Sequence, residues 1–234
     1  KKKLKQLFIA EKSKEMSFNK SLKIESLNMS VFDEKKGNEK IILENAKFEI
    51  FKNKFIGIVG KSGIGKTTLI NYLSGYVKAK KSKVFVDDKL QDSSEYLNLS
   101  GVGFVTQESL ILDGTIKENL FFNDNPNIDN KNLKKIIEIT DLKEFVENSK
   151  LGLDTVINEK GSNISGGQIQ KISLARALNF NPTLLILDEA TSALDLETEN
   201  KILNLLKKMN NLTCIIISHR TETLAFCDLI YEIE

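Results

Sequence analysis

The chain has 234 residues, 41% of them hydrophobic, enough for one large core or two small ones. Its 34 basic and 32 acidic side chains leave a net charge of +2, so the overall balance does not mark a nucleic-acid binder. No apolar run approaches the ~18 residues of a membrane-spanning helix and no signal peptide is visible. Cys214 and Cys227 lack metal-ligand spacing, as suits a reducing compartment.

Residues 1–22 read as a basic linker: between Lys1 and Lys23, eight lysines stand against Glu11 and Glu15. A solvated tether and a segment near an anionic membrane surface are both open readings. The chain opens without Met, which is expected of a processed or excised piece. From Ser21 to Phe51 polar and apolar residues alternate, predicting half-buried antiparallel strands joined by the polar turn "DEKKGNEK". "FIGIVG" (55–60) is short and nearly all apolar, as in a strand buried on both faces. A helix is predicted from Lys66 through Leu73. "KVFVDDKL" reads as an outer strand ending in a turn, and "GVGFVTQ" (101–107) as another inner strand.

From Glu108 to about Gly161 the texture changes. "IKENLFF", "NLKKIIEI" and "DLKEFVEN" have helical periodicity between Asn, Asp and Pro breaks, predicting a helical insertion. In "GSNISGGQIQK", Asn163 and Ser165 are helix-cap types, and Ile169, Ile172 and Ala175 recur at helical spacing up to Leu178. "PTLLILDEA" and "LTCIIISHR" complete the set of inner strands. Strands alternating with helices, with unbroken apolar inner strands, predict an α/β domain around a mostly parallel sheet. No internal repeat is visible. Only Arg176 and Arg220 are arginines in this lysine-rich chain, which hints at a need for guanidinium geometry at both positions.

Ligands bind at the carboxyl ends of such strands. After Val59 comes "GKSGIGKTT", which matches G-x-x-x-x-G-K-[ST] at Gly60, Gly65, Lys66 and Thr67 between a strand and a helix. Its backbone, including Lys61, Ser62, Gly63 and Thr68, can wrap a phosphate chain. Lys66 would neutralise β/γ oxygens and the Thr67 hydroxyl would ligate Mg²⁺. After Leu187 come Asp188, suited to Mg²⁺ through water, and Glu189, placed to polarise an attacking water; a helix cap is the plainer reading of that pair. His219, the single histidine, follows an inner strand, where it could bond a γ-phosphate or be merely exposed. Gln107 has the same placement, or is a loop residue. The helix N-terminus at Ser165 offers N–H groups to a second phosphate.

Together the phosphate loop, "NISGGQ", "LLILDEATSALD" and "ISHR" resemble, in order and spacing, the nucleotide-binding domain of ABC transporters, over about residues 23–234. The resemblance implies a P-loop NTPase fold. Its core takes about 23–107 and 166–234, with an antiparallel β subdomain and a helical subdomain at about 108–165. It implies ATP and Mg²⁺ as ligands, with Lys66, Glu189 and His219 catalytic and Thr67, Gln107 and Asp188 around the metal. Ser165, Gly166, Gly167 and Gln168 form the signature. In this family two such domains face each other head to tail, each signature closing over the partner's ATP, with Asp195 of the D-loop at the interface.

"LILDGTIKENL" and "DTVINEKGSNISGGQ" are similar to the exporter branch, where Glu159 would contact the membrane part. This implies a transmembrane domain in the same full-length chain, ahead of the lysine-rich linker, and a place at the cytoplasmic face of a membrane, with no nucleic acid as partner. Three departures stand out. Ile164 replaces the usual Leu, Ile169 and Gln170 follow the signature, and no Tyr is available for adenine, leaving Phe32, with Val31 competing for the register. A soluble ABC-type ATPase acting on ribosomes or DNA is the alternative, and a regulatory module without hydrolysis a third; the intact Glu189 and His219 speak against the last.

Overall fold

The computed structural model describes residues 15–33, 37–91, 97–121, 130–158 and 161–234, with the backbone alone at Phe32 and Asp33. Most of the basic linker, residues 1–14, lies outside the described residues. In chain order the elements are β1 (Ser21–Asp33), β2 (Asn38–Phe51), β3 (Phe55–Gly60), α1 (Lys66–Leu73), β4 (Lys81–Val86), β5 (Lys89–Leu90) and β6 (Val102–Val105). The middle of the chain holds β7 (Gly114–Thr115), α2 (Ile116–Phe121), α3 (Asn130–Ile139), α4 (Lys143–Asn148) and β8 (Val156–Ile157). Then follow α5 (Gly166–Asn179), β9 (Leu184–Asp188), α6 (Leu196–Lys207), β10 (Thr213–Ile217), α7 (Thr221–Leu224) and β11 (Leu229–Ile233).

Five strands form a sheet in the order β11-β3-β10-β9-β6, every pair parallel. Parallel strands need crossovers, and the connecting helices cover both faces, so the middle strands lose all contact with water. β9 and β10 are buried at every position. Their side chains divide by parity. Leu184, Ile186, Ile215 and Ile217 enter one core with Leu69, Ile70 and Leu73 of α1 and the inner face of the antiparallel sheet. Leu185, Leu187, Cys214 and Ile216 enter the other with Ile172 and Leu178 of α5 and Ile202 and Leu206 of α6.

The second sheet, ordered β2-β1-β4-β5, is antiparallel throughout, as the alternation over 21–51 predicts. Its inward residues, Leu22, Ile24, Leu27, Phe48 and Ile50, are at most 5% exposed. Leading into it, Met16 forms a parallel bridge with Leu99, and the Asp87 carboxylate accepts from the amides of Asn19, Lys20 and Ser21.

The expected inner strand at 101–107 is instead the edge of the parallel sheet, with half of its positions only partly buried. Its glycine explains the tight fit on the other side: a Cβ on Gly103 would lie 3.1 Å from Pro182. The helical insertion is present as α2, α3 and α4. In α3, Leu133, Ile136 and Ile139 are buried three residues apart, the stripe of a helix lying on a core. The ribbon β7–β8 had no readable signal, since two-residue strands have no periodicity. α6 and β11 were also not predicted; "LIYEI" alternates but is short.

Arg176 of α5 explains one of the two arginines. Its guanidinium is 8% exposed and donates to the Asn119 carbonyl at 2.6 Å, the Asn119 Oδ1 at 3.1 Å and the Leu110 carbonyl at 2.7 Å. Asn119 in turn bonds the Leu112 amide and the Leu112 and Thr115 carbonyls. The planar fork thereby fastens the chain after β6 to α5. Burial pulls the Arg176 pKa down to about 10, which leaves it charged at neutral pH. Arg176→Ala should lower unfolding stability by about 3 kcal/mol, because it strands buried acceptors. Arg176→Lys should recover less than half, since one ammonium cannot span the same acceptors; urea unfolding of the three proteins measures both.

Candidate functional site

β3 ends at Gly60 and α1 begins at Lys66, so the connecting loop must reverse within five residues. Two glycines make that possible. At Gly60 (φ 151°) a Cβ would lie 2.7 Å from the Ile233 carbonyl of β11, and at Gly65 (φ 117°) it would lie 3.0 Å from Ile42. Gly65 is the N-cap of α1 and has no side chain to cap with, so the first amides of the helix stay open toward the loop. Lys66, 8% exposed, folds back over the loop and donates to the Gly60 carbonyl at 2.7 Å and the Lys61 carbonyl at 3.0 Å.

A cleft of about 210 Å³ opens above this loop. Ser62, Gly63, Gly65, Lys66, Thr67 and Thr68 form its floor; Lys61 gives only its carbonyl to Lys66. The ends of three other strands form the wall, with Gln107 after β6, Asp188 and Glu189 at β9, and His219 after β10. Parallel register brings them level: Ile217 pairs with Asp188 and with Ile58, and Val105 with Leu187. Residues more than 150 positions apart in sequence thus share one cleft. Ile42 of β2 also lines it and packs against Gly65, a contact with no sequence signal beyond strand alternation.

Asp188 is 9% exposed, and its carboxyl is pushed up chiefly by burial, next by the Glu189 charge, with Lys66 opposing both. Glu189 sits at φ 49°, a left-handed conformation unusual outside glycine, and its amide donates to the Ile217 carbonyl at 3.0 Å. That turn aims the side chain along the cleft. Its Oε2 accepts from Gln107 Nε2 at 3.0 Å, and His219 Nε2 lies 3.2 Å from Oε1, an ion pair when the imidazole is protonated. The helix-cap reading of Asp188–Glu189 therefore fails: α6 starts later, and its N-cap is Asp195, whose Oδ1 accepts from the Thr198 amide at 2.9 Å. That bond also holds the Asp195 carboxyl below its ordinary range.

Thr67, Asp188 and Gln107 are hard oxygen donors on one cleft. Among the described residues there is no group of three or more His, Cys, Asp or Glu side chains fit for a metal. One carboxylate and one hydroxyl beside a phosphate-binding loop suit Mg²⁺, which keeps waters and shares its shell with phosphates. The residues present fit that ion.

Ser165 caps α5 as expected, with a capping box: Ser165 Oγ accepts from the Gln168 amide at 3.2 Å, and Gln168 Oε1 accepts from the Ser165 amide at 2.8 Å. The cap takes up the Gln168 amide, so only the Gly166 and Gly167 amides, which have no intrahelical partner, remain for a ligand. None of Ser165, Gly166, Gly167, Gln168 or Asp195 lines the cleft. The loop after β3 and the N-terminus of α5 thus lie at separate places on one chain. Val31 is 44% exposed on β1. The side chain of Phe32 lies outside the described residues, as does Glu159.

The family model described as ABC transporter matches residues 43–192. A putative export ATP-binding/permease protein of Rickettsia typhi (strain ATCC VR-144 / Wilmington) is 39% identical over 219 residues, covering 92% of this chain and 37% of that protein. The multidrug resistance ABC transporter ATP-binding and permease protein of Lactococcus lactis subsp. cremoris (strain MG1363) is 37% identical over 195 residues, 82% of this chain and 33% of that one. The solved structure of a bacterial Atm1-family ABC exporter with ATP bound superposes with a TM-score of 0.82 at 27% identity, covering 94% of this chain and 38% of that one. The chain therefore spans 33–38% of the length of these relatives.

Asp188 generates a prediction. Its raised pKa means that the folded state binds its proton more tightly than the unfolded state, so this group's contribution to stability falls as pH rises through the carboxylate range. Asp188→Asn removes the buried charge and the repulsion from Glu189. At neutral pH the ligand-free variant should melt above the parent, and the difference should shrink on acidification. Calorimetric scans at pH 5 and pH 8 test the sign; lower melting of the variant at pH 8 would contradict it.

Proposed function

The chain belongs to the ABC transporter family, and from that premise we propose that it is the ATP-binding and ATP-hydrolysing part of an exporter, working as a head-to-tail pair around two ATP. The convergence of Lys66, Thr67, Gln107, Asp188, Glu189 and His219 on one cleft, with the α5 end outside its lining, carries the reading. The relatives named as export proteins support the direction of transport. No helix among the described residues is long and apolar enough to cross a membrane, so the reading places the pathway in a transmembrane domain of the full-length protein. This part would then sit at the membrane's cytoplasmic face.

In this reading the triphosphate lies along the loop from Gly60 to Thr68, and the Lys66 ammonium exchanges two carbonyl acceptors for charged phosphate oxygens, a stronger bond. Thr67, Asp188 and Gln107 would hold the Mg²⁺, which when bound offsets charge on the β- and γ-phosphates. Bringing a counter-ion beside Asp188 also relieves its burial. Glu189 takes the proton of, or orients, the water for in-line attack, while His219 and Gln107 hold the carboxylate toward the γ-phosphate. The water takes the place of one of the two Glu189 contacts, with Gln107 or with His219. The partner's Ser165 helix end closes the site, excludes bulk water and adds its dipole to the phosphate charge.

Glu189→Gln should retain ATP binding and lower turnover by ~10²–10⁴-fold, the usual worth of a general base. The variant should accumulate as an ATP-bound dimer in gel filtration; hydrolysis at the parent rate would sink the assignment.

Pairing between chains has its own test. In homodimers of Lys66→Ala or of Ser165→Arg both composite sites are damaged. A mixed dimer unites one intact loop with one intact helix end, so mixing two inactive proteins should restore hydrolysis. The control is a double variant mixed with parent. If the control recovers activity and the mixture does not, the helix end does not serve the partner's nucleotide.

A further inference from the structure

The segment Ser192–Asp195, between β9 and α6, is gripped from two sides. On one side lies α5. Gln170, 6% exposed and one turn past Ser165, donates Nε2 to Ser192 Oγ at 3.1 Å and accepts from the Ala193 amide at 2.9 Å. The glycines of the helix end press on the same segment: a Cβ on Gly167 would lie 3.3 Å from Leu194 Cδ2 and 3.4 Å from the Ala193 carbonyl. On the other side lies Arg220, the residue after His219. It donates Nη2 to the Ser192 carbonyl at 2.7 Å, and Nη1 to the Leu194 carbonyl and to Glu199 Oε2, both at 3.0 Å.

Glu199 anchors that grip. Its side chain is 1% exposed, and its other oxygen accepts from Thr191 Oγ1 at 2.5 Å and Thr223 Oγ1 at 2.8 Å. A buried carboxylate with all its partners present is rigid, because each bond broken would leave a desolvated polar group. Only a planar fork reaches a carboxylate and two carbonyls at once. From the Ser165 helix the hydrogen bonds run through Gln170 and Ser192–Leu194 to Arg220, whose chain neighbour His219 lies with Nε2 3.2 Å from Glu189 Oε1.

We propose that Gln170 and Arg220 are positioning residues that make the phosphate-binding helix end and the Glu189–His219 pair one rigid unit. When the helix end engages a partner's nucleotide, the shift passes through Ser192–Leu194 and sets the water-holding pair of the same chain. Neither Gln170 nor Arg220 lines the cleft, so each acts through others. The inference rests on the reading that the helix end serves a partner chain.

The test compares Arg220→Lys, which keeps a charge against Glu199, with Gln170→Met, which conserves volume and touches no charge. Steady-state ATPase kcat and KM, Mg-ADP affinity by calorimetry and melting temperature are measured for parent, both singles and the double. Each single should lose about 10–100-fold in kcat, the effect of a small misplacement of a catalytic group, with Mg-ADP affinity within about twofold of the parent. The double should lose no more than the worse single, because both break one bridge. Should Arg220→Lys unfold, the Gln170→Met split between kcat and Mg-ADP affinity decides alone. Parent-like kcat in Gln170→Met, losses that multiply in the double, or Mg-ADP affinity falling in step with kcat overturns the inference. An inactive parent overturns instead the ATPase reading beneath it.

Discussion

Five strands paired in a single direction impose one consequence on everything else: all their carboxyl ends lie at the same edge of the sheet. The loop after β3, the acids ending β9, His219 after β10 and Gln107 after β6 meet there because the register leaves them nowhere else to go. The price is burial. β9 and β10 lose water on both faces, so polar side chains stand only at their ends, Thr213 opening β10 with a bond from the Asn53 amide and Asp188 closing β9. Chemistry is confined to the rim because the interior of a two-sided sheet has no place for an unpaired polar group.

The rim is held under electrostatic and conformational strain. Asp188 is buried next to a second carboxylate, and Glu189 takes a left-handed backbone to point along the cleft. Lys66 lies on the loop's own carbonyls, near enough to ease the charge on Asp188. In the proposed reading a polyphosphate with a divalent cation would ease the electrostatic part, giving Lys66 anionic acceptors and Asp188 a counter-charge. Stored strain that a ligand relieves is a form of preorganisation.

Both arginines join parts that the sheet alone would leave loose. Arg176 fastens the chain following Gln107 to α5, and Arg220 fastens the segment before α6 to the end of β10. Each grips two backbone carbonyls and one side-chain oxygen, a pattern of acceptors that an ammonium cannot match. Most lysines serve at surfaces, where charge without geometry suffices; Lys66, buried over the loop after β3, is the exception among the described residues.

The residues themselves carried the phosphate loop, the helix at 66–73, the capped helix at 165 and the two fully apolar strands, since each depends on neighbours in sequence: glycines beside a lysine, a serine three residues before its glutamine, an unbroken run of Leu and Ile. Their order along the chain also carried the α/β class, because parallel strands need helical crossovers. Tertiary structure alone decided that β6 is an edge strand, that Asp195 caps α6 instead of Asp188 or Glu189 capping any helix, and that Gln107 and His219 grip one carboxylate. It alone showed that Gln170, Glu199 and Arg220 close around one short segment. Such facts depend on which residues distant in sequence come within about 3 Å of one another, and a hydrogen bond leaves no periodicity in the chain that makes it.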